Sequence, residues 1–255
     1  IVMLSIVKII KRTIIYRTFV SGFNTYRLKI MLNLFKRLKI LGSILAVLSV
    51  VILSIFYNLL KVDRQLPIYQ PASVNVELVD STIQYQKKYH RIADFNLVNQ
   101  NGSVVTQETY SDKIYVADFF FTTCQTICPV MTKNMTEIQK EFLLDPDIMM
   151  LSHSVTPELD SVEQLHRYAK SKGVIASKWN LVTGNKKEIY ELARKSYLAV
   201  KDNNGTGGPF DMIHTENFIL IDKERQIRGF YDGTDLNEID RLIDDIKTLK
   251  ASYKD

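Results

Sequence analysis

Acidic residues are missing from the first forty positions, cysteine occurs only twice, and no internal repeat or low-complexity tract interrupts the 255-residue chain. Each absence excludes something. Two cysteines are too few for a four-ligand structural zinc site. With no biased tract, and with 46% hydrophobic and 24% charged residues, the chain belongs to neither the fibrous nor the disordered class. The acid-free start also accounts for the formal charge of +5. Residues 1–40 hold nine Lys or Arg, which leaves 24 basic against 28 acidic residues in the remainder. The bulk of the chain is therefore mildly acidic. Its basic character sits in a tail beside a hydrophobic segment, the pattern of a membrane protein and not of a nucleic-acid binder.

That segment, residues 40–60, reads ILGSILAVLSVVILSIFYNLL without a charge. As a helix it can cross about 30 Å of hydrocarbon at about 1.5 Å per residue. A signal-peptide core would be shorter and followed by small residues, whereas Lys61, Val62 and Asp63 follow here. No cysteine adjoins the run, which argues against a lipid-modified anchor. Lys36, Arg37 and Lys39 precede it, so residues 1–39 are expected in the cytosol or matrix and everything after residue 60 across the membrane. The expected location is a bacterial cytoplasmic membrane with the domain facing the periplasm. The alternative is a mitochondrial inner membrane with the domain facing the intermembrane space. Because a plausible start, MLNLFKRLK, occurs at Met31, residues 1–30 read as an over-extended start or a processed presequence.

Residues 61–75 predict a linker stiffened by Pro67 and Pro71, and residues 76–255 a single α/β domain. Strands at 92–98 and 103–106 flank Asn101-Gly102, a hairpin signal. Residues 114–121 (IYVADFFF) form the apolar run expected of a central strand covered on both faces. A helix follows, with Met131, Met135, Ile138 and Phe142 at helical spacing. Further strands are expected at 148–151 and 179–182, and helices at 160–172 and 186–200, the latter turning Ile189, Leu192 and Ala193 inward. A glycine-rich loop, 203–209, runs into Met212-Ile213-His214. A hairpin of 217–221 and 226–231 and a helix marked by Leu236, Ile239, Leu242, Ile246 and Leu249 close the chain. This order predicts a thioredoxin-like α/β fold: a central mixed sheet flanked by helices, an N-terminal β-hairpin extension, and one transmembrane helix ahead of it.

Both cysteines lie in TTCQTICPVM, at a strand-to-helix junction. Four positions apart, Cys124 and Cys128 can point to the same side, and Pro129 suits the first turn of the helix. A helix N-terminus lowers a thiol pKa, and the thiolate is the form that binds metal or attacks disulfides. Soft thiolates select Cu(I), zinc or iron–sulfur chemistry, so a third ligand discriminates among the readings. Of the four histidines, His214 is the candidate, since it follows a glycine-rich loop and precedes an apolar strand. His90, His153 and His166 read as structural. Met212 is an auxiliary soft-ligand candidate, and the other methionines read as core.

From residue 93 to residue 250 the chain resembles the Sco/SenC proteins. The resemblance is carried by FFFTTCQTICPVM, by Thr156-Pro157-Glu158-Leu159-Asp160, by Trp179-Asn180-Leu181-Val182-Thr183-Gly184, by His214-Thr215 before FILID, and by Gly229-Phe230-Tyr231-Asp232-Gly233. It implies copper held by Cys124, Cys128 and His214, and work on the dinuclear CuA centre of cytochrome c oxidase subunit II as metallochaperone, thiol reductase or both. Membrane and oxidase, or another copper or thiol client, are then the partners, and nucleic acid is not. Two departures bear on this. The family often has Asp-Pro where this chain has Thr156-Pro157. Asp118, six residues before Cys124, occupies the place of a buried thioredoxin carboxylate that moves the resolving thiol's proton, which favours redox-active cysteines able to form a disulfide.

Two further functions compete. A metal-independent thiol-disulfide oxidoreductase would need only the cysteines, although C-x-x-C spacing is usual and a proline would be expected where Ile213-His214-Thr215 stands. A redox or copper sensor would use the same site. A peroxidase of the peroxiredoxin type is disfavoured, because Phe121 stands three residues before Cys124, where those enzymes have threonine.

Overall fold

The computed structural model describes residues 31, 34, 36–56, 65–74, 83, 85, 88–200, 213 and 215–253. The chain divides into two compact units, residues 1–63 and 64–255. In the first, helix α1 (Lys36–Phe56) has a mean hydropathy of 2.5 and is long and apolar enough to cross a membrane. The last four residues of the expected span, 57–60, lie outside the described residues.

The second unit is built on a seven-stranded sheet. Its strands are β1 (Asn96–Asn99), β2 (Val104–Thr106), β3 (Ile114–Phe120), β4 (Ile148–Ser154), β5 (Trp179–Thr183), β6 (Asn217–Ile221) and β7 (Ile227–Asp232), in the spatial order β2-β1-β5-β4-β3-β6-β7. The β5-β4-β3 centre is parallel, and β1, β2, β6 and β7 join antiparallel. The helices are α2 (Cys128–Glu141), α3 (Val162–Lys172), α4 (Lys186–Glu191) and α5 (Leu236–Ala251). This is the thioredoxin-like arrangement with an added N-terminal hairpin. At that hairpin Gly102 has φ +77, a left-handed turn conformation that costs a residue with a Cβ.

All seven residues of β3 are buried, because both faces of the sheet are covered. Alternation sends Tyr115, Ala117 and Phe119 to one core with Ile189, Ala193 and Tyr197. Val116 and Phe120 go to the other core, with Met131, Met135 and Ile138 of α2 and Leu242 and Ile246 of α5. Met131, Met135 and Ile138 are fully buried, and each such side chain contributes roughly 1.5–3 kcal/mol by leaving water. Ser161 caps α3 by accepting from the Gln164 N–H, and Gly173 ends it at φ +71. The helix expected at 160–172 thus starts two residues later and ends at Lys172 as expected.

Two expectations are corrected. The helix expected over 186–200 ends its α-helical part at Glu191 and closes in a π-helical turn, Leu192–Ser196. Leu198 then takes φ +52 and Ala199 donates to the Ala193 carbonyl, so the apolar run continues as a buried turn and not as helix. In the expected linker, Leu66 and Pro71 are buried, and Tyr69 pairs with Ile227 through an N–H···O bond of 2.8 Å. Arg228 also donates to the Pro67 and Leu66 carbonyls. Residues 65–71 are therefore an edge of the domain and not a free spacer.

Candidate functional site

The cysteine loop leaves the C-terminal end of β3 and enters α2, with Pro129 in the first turn of that helix. Proline sets the helical φ there without sacrificing a needed N–H. Cys128 is the first residue of α2 and is buried, whereas Cys124 is half-buried, and both are free thiols.

Their electrostatics differ. For Cys124, burial alone raises the thiol pKa. The Cys128 N–H, the Thr126 hydroxyl (3.5 Å) and N–H, and the Cys128 thiol donate to its sulfur, outweigh that penalty and bring it down to about 7. Donors at a helix N-terminus favour the thiolate in just this way. Cys128 is pushed up to about 12, chiefly by burial, opposed by a Phe121 backbone hydrogen bond and then reinforced by the Cys124 sulfur and the Asp118 charge. One thiol is thus poised to ionise near neutrality, and its neighbour holds its proton.

Asp118 lies on the α2 side of β3, almost fully buried. Burial pushes its carboxyl up to about 7, against the pull of the Ser152 hydroxyl that donates to it. Trp179 Nε1 in turn donates to Ser152 Oγ at 2.8 Å. Asp118 and Ser152 face each other in the parallel β3–β4 register. A carboxyl that titrates near neutrality within electrostatic reach of a resolving thiol is suited to take that thiol's proton.

His214 and Met212 lie outside the described residues. Their neighbours Ile213 and Thr215 are buried, and β6 begins at Asn217. Because β6 runs antiparallel to β3, its start stands at the end of the sheet where β3 hands over to the cysteine loop. Beside it, Asn134 of α2 donates to the Gly233 carbonyl at 2.8 Å. A Cβ at Gly233 would sit 2.8 Å from the Phe218 ring and 2.9 Å from the Glu216 carbonyl. Among the described residues no cluster of three His, Cys, Asp or Glu forms a metal site.

The other histidines take structural places. His90 Nε2 lies 2.7 Å from the Ser196 carbonyl, and its pKa is lowered by burial. His166 is exposed on α3. His153 is fully buried on the face of the sheet opposite Asp118, stacked on Phe119 at 4.9 Å and edge-on to Tyr197 and Phe95.

Sequence reasoning missed three groups of partners. Ser152 and Trp179 connect through strand pairing alone, and Thr126 through loop geometry. Asp160, fully buried, gathers the start of the cysteine loop and the end of β4. Its only signal was its place in the Thr156–Asp160 motif.

Comparison with known proteins agrees with this architecture. The SCO1/SenC family profile matches residues 83–251. A curated relative, the SCO1 protein homolog of Bacillus subtilis, is 33% identical over 164 residues, spanning 64% of this chain and 84% of its own. Among solved structures, a SCO1/SenC family lipoprotein from Bacillus anthracis superposes with a TM-score of 0.55 at 32% identity, covering 65% of this chain and 98% of that one. The protein BsSco, described as having a disulfide switch and as a member of the Sco family of cytochrome c oxidase assembly proteins, gives 0.54 at 32% identity, covering 63% and 93%.

Proposed function

This chain belongs to the SCO1/SenC family, and we propose from that premise that it is a membrane-anchored copper carrier. It delivers copper to, or keeps reduced the thiols of, the CuA site of cytochrome c oxidase subunit II. The observation that carries the reading is the pair of thiols gathered at the N-terminus of α2, one lowered to about 7 by the donors around it. Two soft sulfurs suit Cu(I), and His214 is the proposed third ligand. α1 supplies the anchor, and the domain is proposed to face the periplasm. Cu(I) is the cargo. It leaves when cysteines of the client displace Cys124, Cys128 and His214 one bond at a time, so a low coordination number helps transfer.

The inequality of the two thiols favours a second reading for the same residues. In it the Cys124 thiolate attacks a client disulfide, forming a mixed disulfide and releasing one client thiolate. Cys128 then gives its proton to the Asp118 carboxylate and attacks Cys124 Sγ. The second client thiolate leaves, and a Cys124–Cys128 disulfide remains. The client gains two electrons and the chain loses two.

Cells lacking this chain test the proposal. Their oxidase should be deficient in copper, restored by the wild-type chain and not by Cys124→Ser or Cys128→Ser. Full copper content in oxidase matured by either variant would overturn the carrier function.

A further inference from the structure

We infer that Asp160 is a positioning residue for the cysteine loop, tying Thr122 to the end of β4 so that Cys124 is presented to the N-terminus of α2. The inference deepens the proposed function, resting on Cys124 and Cys128 as the reacting pair. Asp160 has no exposed surface, and its two oxygens accept from both sides of the site. From the loop, Thr122 Oγ1 donates at 2.5 Å and the Thr122 N–H at 3.3 Å. From β4 and the turn after it, Ser154 Oγ donates at 2.6 Å and Thr156 Oγ1 at 3.1 Å. Gln164 of α3 adds a bond to Thr122 Oγ1 at 3.1 Å. Among the described residues no cation pairs with Asp160.

A buried carboxylate without a counter-charge is costly unless donors satisfy it, and an apolar residue would serve packing better. What the carboxylate gains here is geometry. It fixes the residue two positions before Cys124 to a strand that cannot move independently of the sheet. The backbone N–H of Cys124 itself is tied locally, to the Phe121 carbonyl at 3.3 Å. A hydroxyl at 156 adds a donor to Asp160, whereas a second carboxylate would oppose it.

The test is the equilibrium between dithiol and disulfide. Full-length protein in detergent is equilibrated with dithiothreitol buffers, the reagent couple exchanging two electrons and two protons with Cys124 and Cys128. The clamp holds Cys124 Sγ 3.5 Å from the Thr126 hydroxyl, and a thiolate sulfur accepts such a bond more strongly than a disulfide sulfur, so releasing Thr122 should favour the disulfide. Thr122→Val is expected to shift the constant toward the disulfide by about three- to tenfold, up to about 30 mV for this two-electron couple. Thr122→Ser, which restores the hydroxyl, should return it to within about twofold of wild type. Asp160→Asn, with one acceptor oxygen fewer, should shift it the same way, and Thr122→Val carries the test if that variant does not fold. An unchanged constant in Thr122→Val, or no rescue by serine, overturns the clamp while leaving the site intact. A wild-type chain that forms no reversible disulfide overturns the proposed site instead.

Discussion

On the face of β3 and β4 that α2 covers, Asp118 accepts from Ser152 and lies within electrostatic reach of Cys128. One register step along and on the opposite face, His153 lies between Phe119, Tyr197 and Phe95, its Nδ1 3.4 Å from the Asp118 carbonyl and its Nε2 without a partner among the described residues. Both groups are deeply buried and both are driven toward their neutral forms, the carboxyl up to about 7 and the imidazole down to about 4. Burial perturbs the two alike. Only the carboxyl has a thiol within electrostatic reach, so a shifted pKa marks a candidate and the neighbouring chemistry decides its use.

The largest effect should follow from the thiols themselves. Cys128→Ser is expected to abolish both disulfide formation and tight copper binding, read by thiol alkylation and by metal analysis after gel filtration. Retention of either at wild-type level would show that the two chemistries do not share the sulfur.

Asp118→Asn should sharpen the comparison next. Loss of the proton acceptor is expected to slow reduction of a model disulfide by on the order of tenfold to a hundredfold, the usual worth of one acid–base group. The same variant should be more stable at pH 8 by up to about 4 kcal/mol. A carboxyl whose pKa is raised on folding binds more protons in the folded state, so its contribution is present at low pH and is lost as pH rises from about 4 to about 7. Urea midpoints against pH should therefore fall over that window in wild type and flatten in Asp118→Asn. An unchanged slope would mean that the carboxyl is not held up by burial.

His153→Phe should act on stability with the opposite slope and leave the chemistry nearly untouched. The folded imidazole resists protonation, so stability drops as pH falls from about 6.5 to about 4, where the unfolded chain takes up the proton first. Phenylalanine should remove that acid-side loss, worth up to about 3 kcal/mol, with disulfide reduction rates within about twofold of wild type. A large rate defect would erase the distinction between the two faces.

How much of this could be read from the sequence depended on whether the signal was local. The C-x3-C-P spacing, the Asn101-Gly102 turn and the methionine stripe of α2 are short-range patterns, and each lies where its periodicity predicts. Asp118 was visible as an acid in an apolar strand, but its Ser152 and Trp179 partners arise only when β3, β4 and β5 align. Asp160 was harder still, because its donors come from positions 122, 154 and 156 and no pattern joins them. The 186–200 helix was overextended because Leu198, Ala199 and Val200 are as apolar as a helix face, while burial in a left-handed turn satisfies the same composition. The packing of residues 65–71 was missed because Pro67 and Pro71 suit an exposed spacer and an extended edge segment equally well.

The most direct test of the central claim is an anaerobic Cu(I) titration of the full-length chain in detergent, reduced and oxidised, beside His214→Ala. The account predicts one copper per reduced chain and none held tightly by the Cys124–Cys128 disulfide. It also predicts at least about tenfold weaker binding in His214→Ala, the equivalent of about 1.4 kcal/mol, with the disulfide still forming normally. Equal copper uptake by the reduced and oxidised chains, or full affinity in His214→Ala, would contradict it.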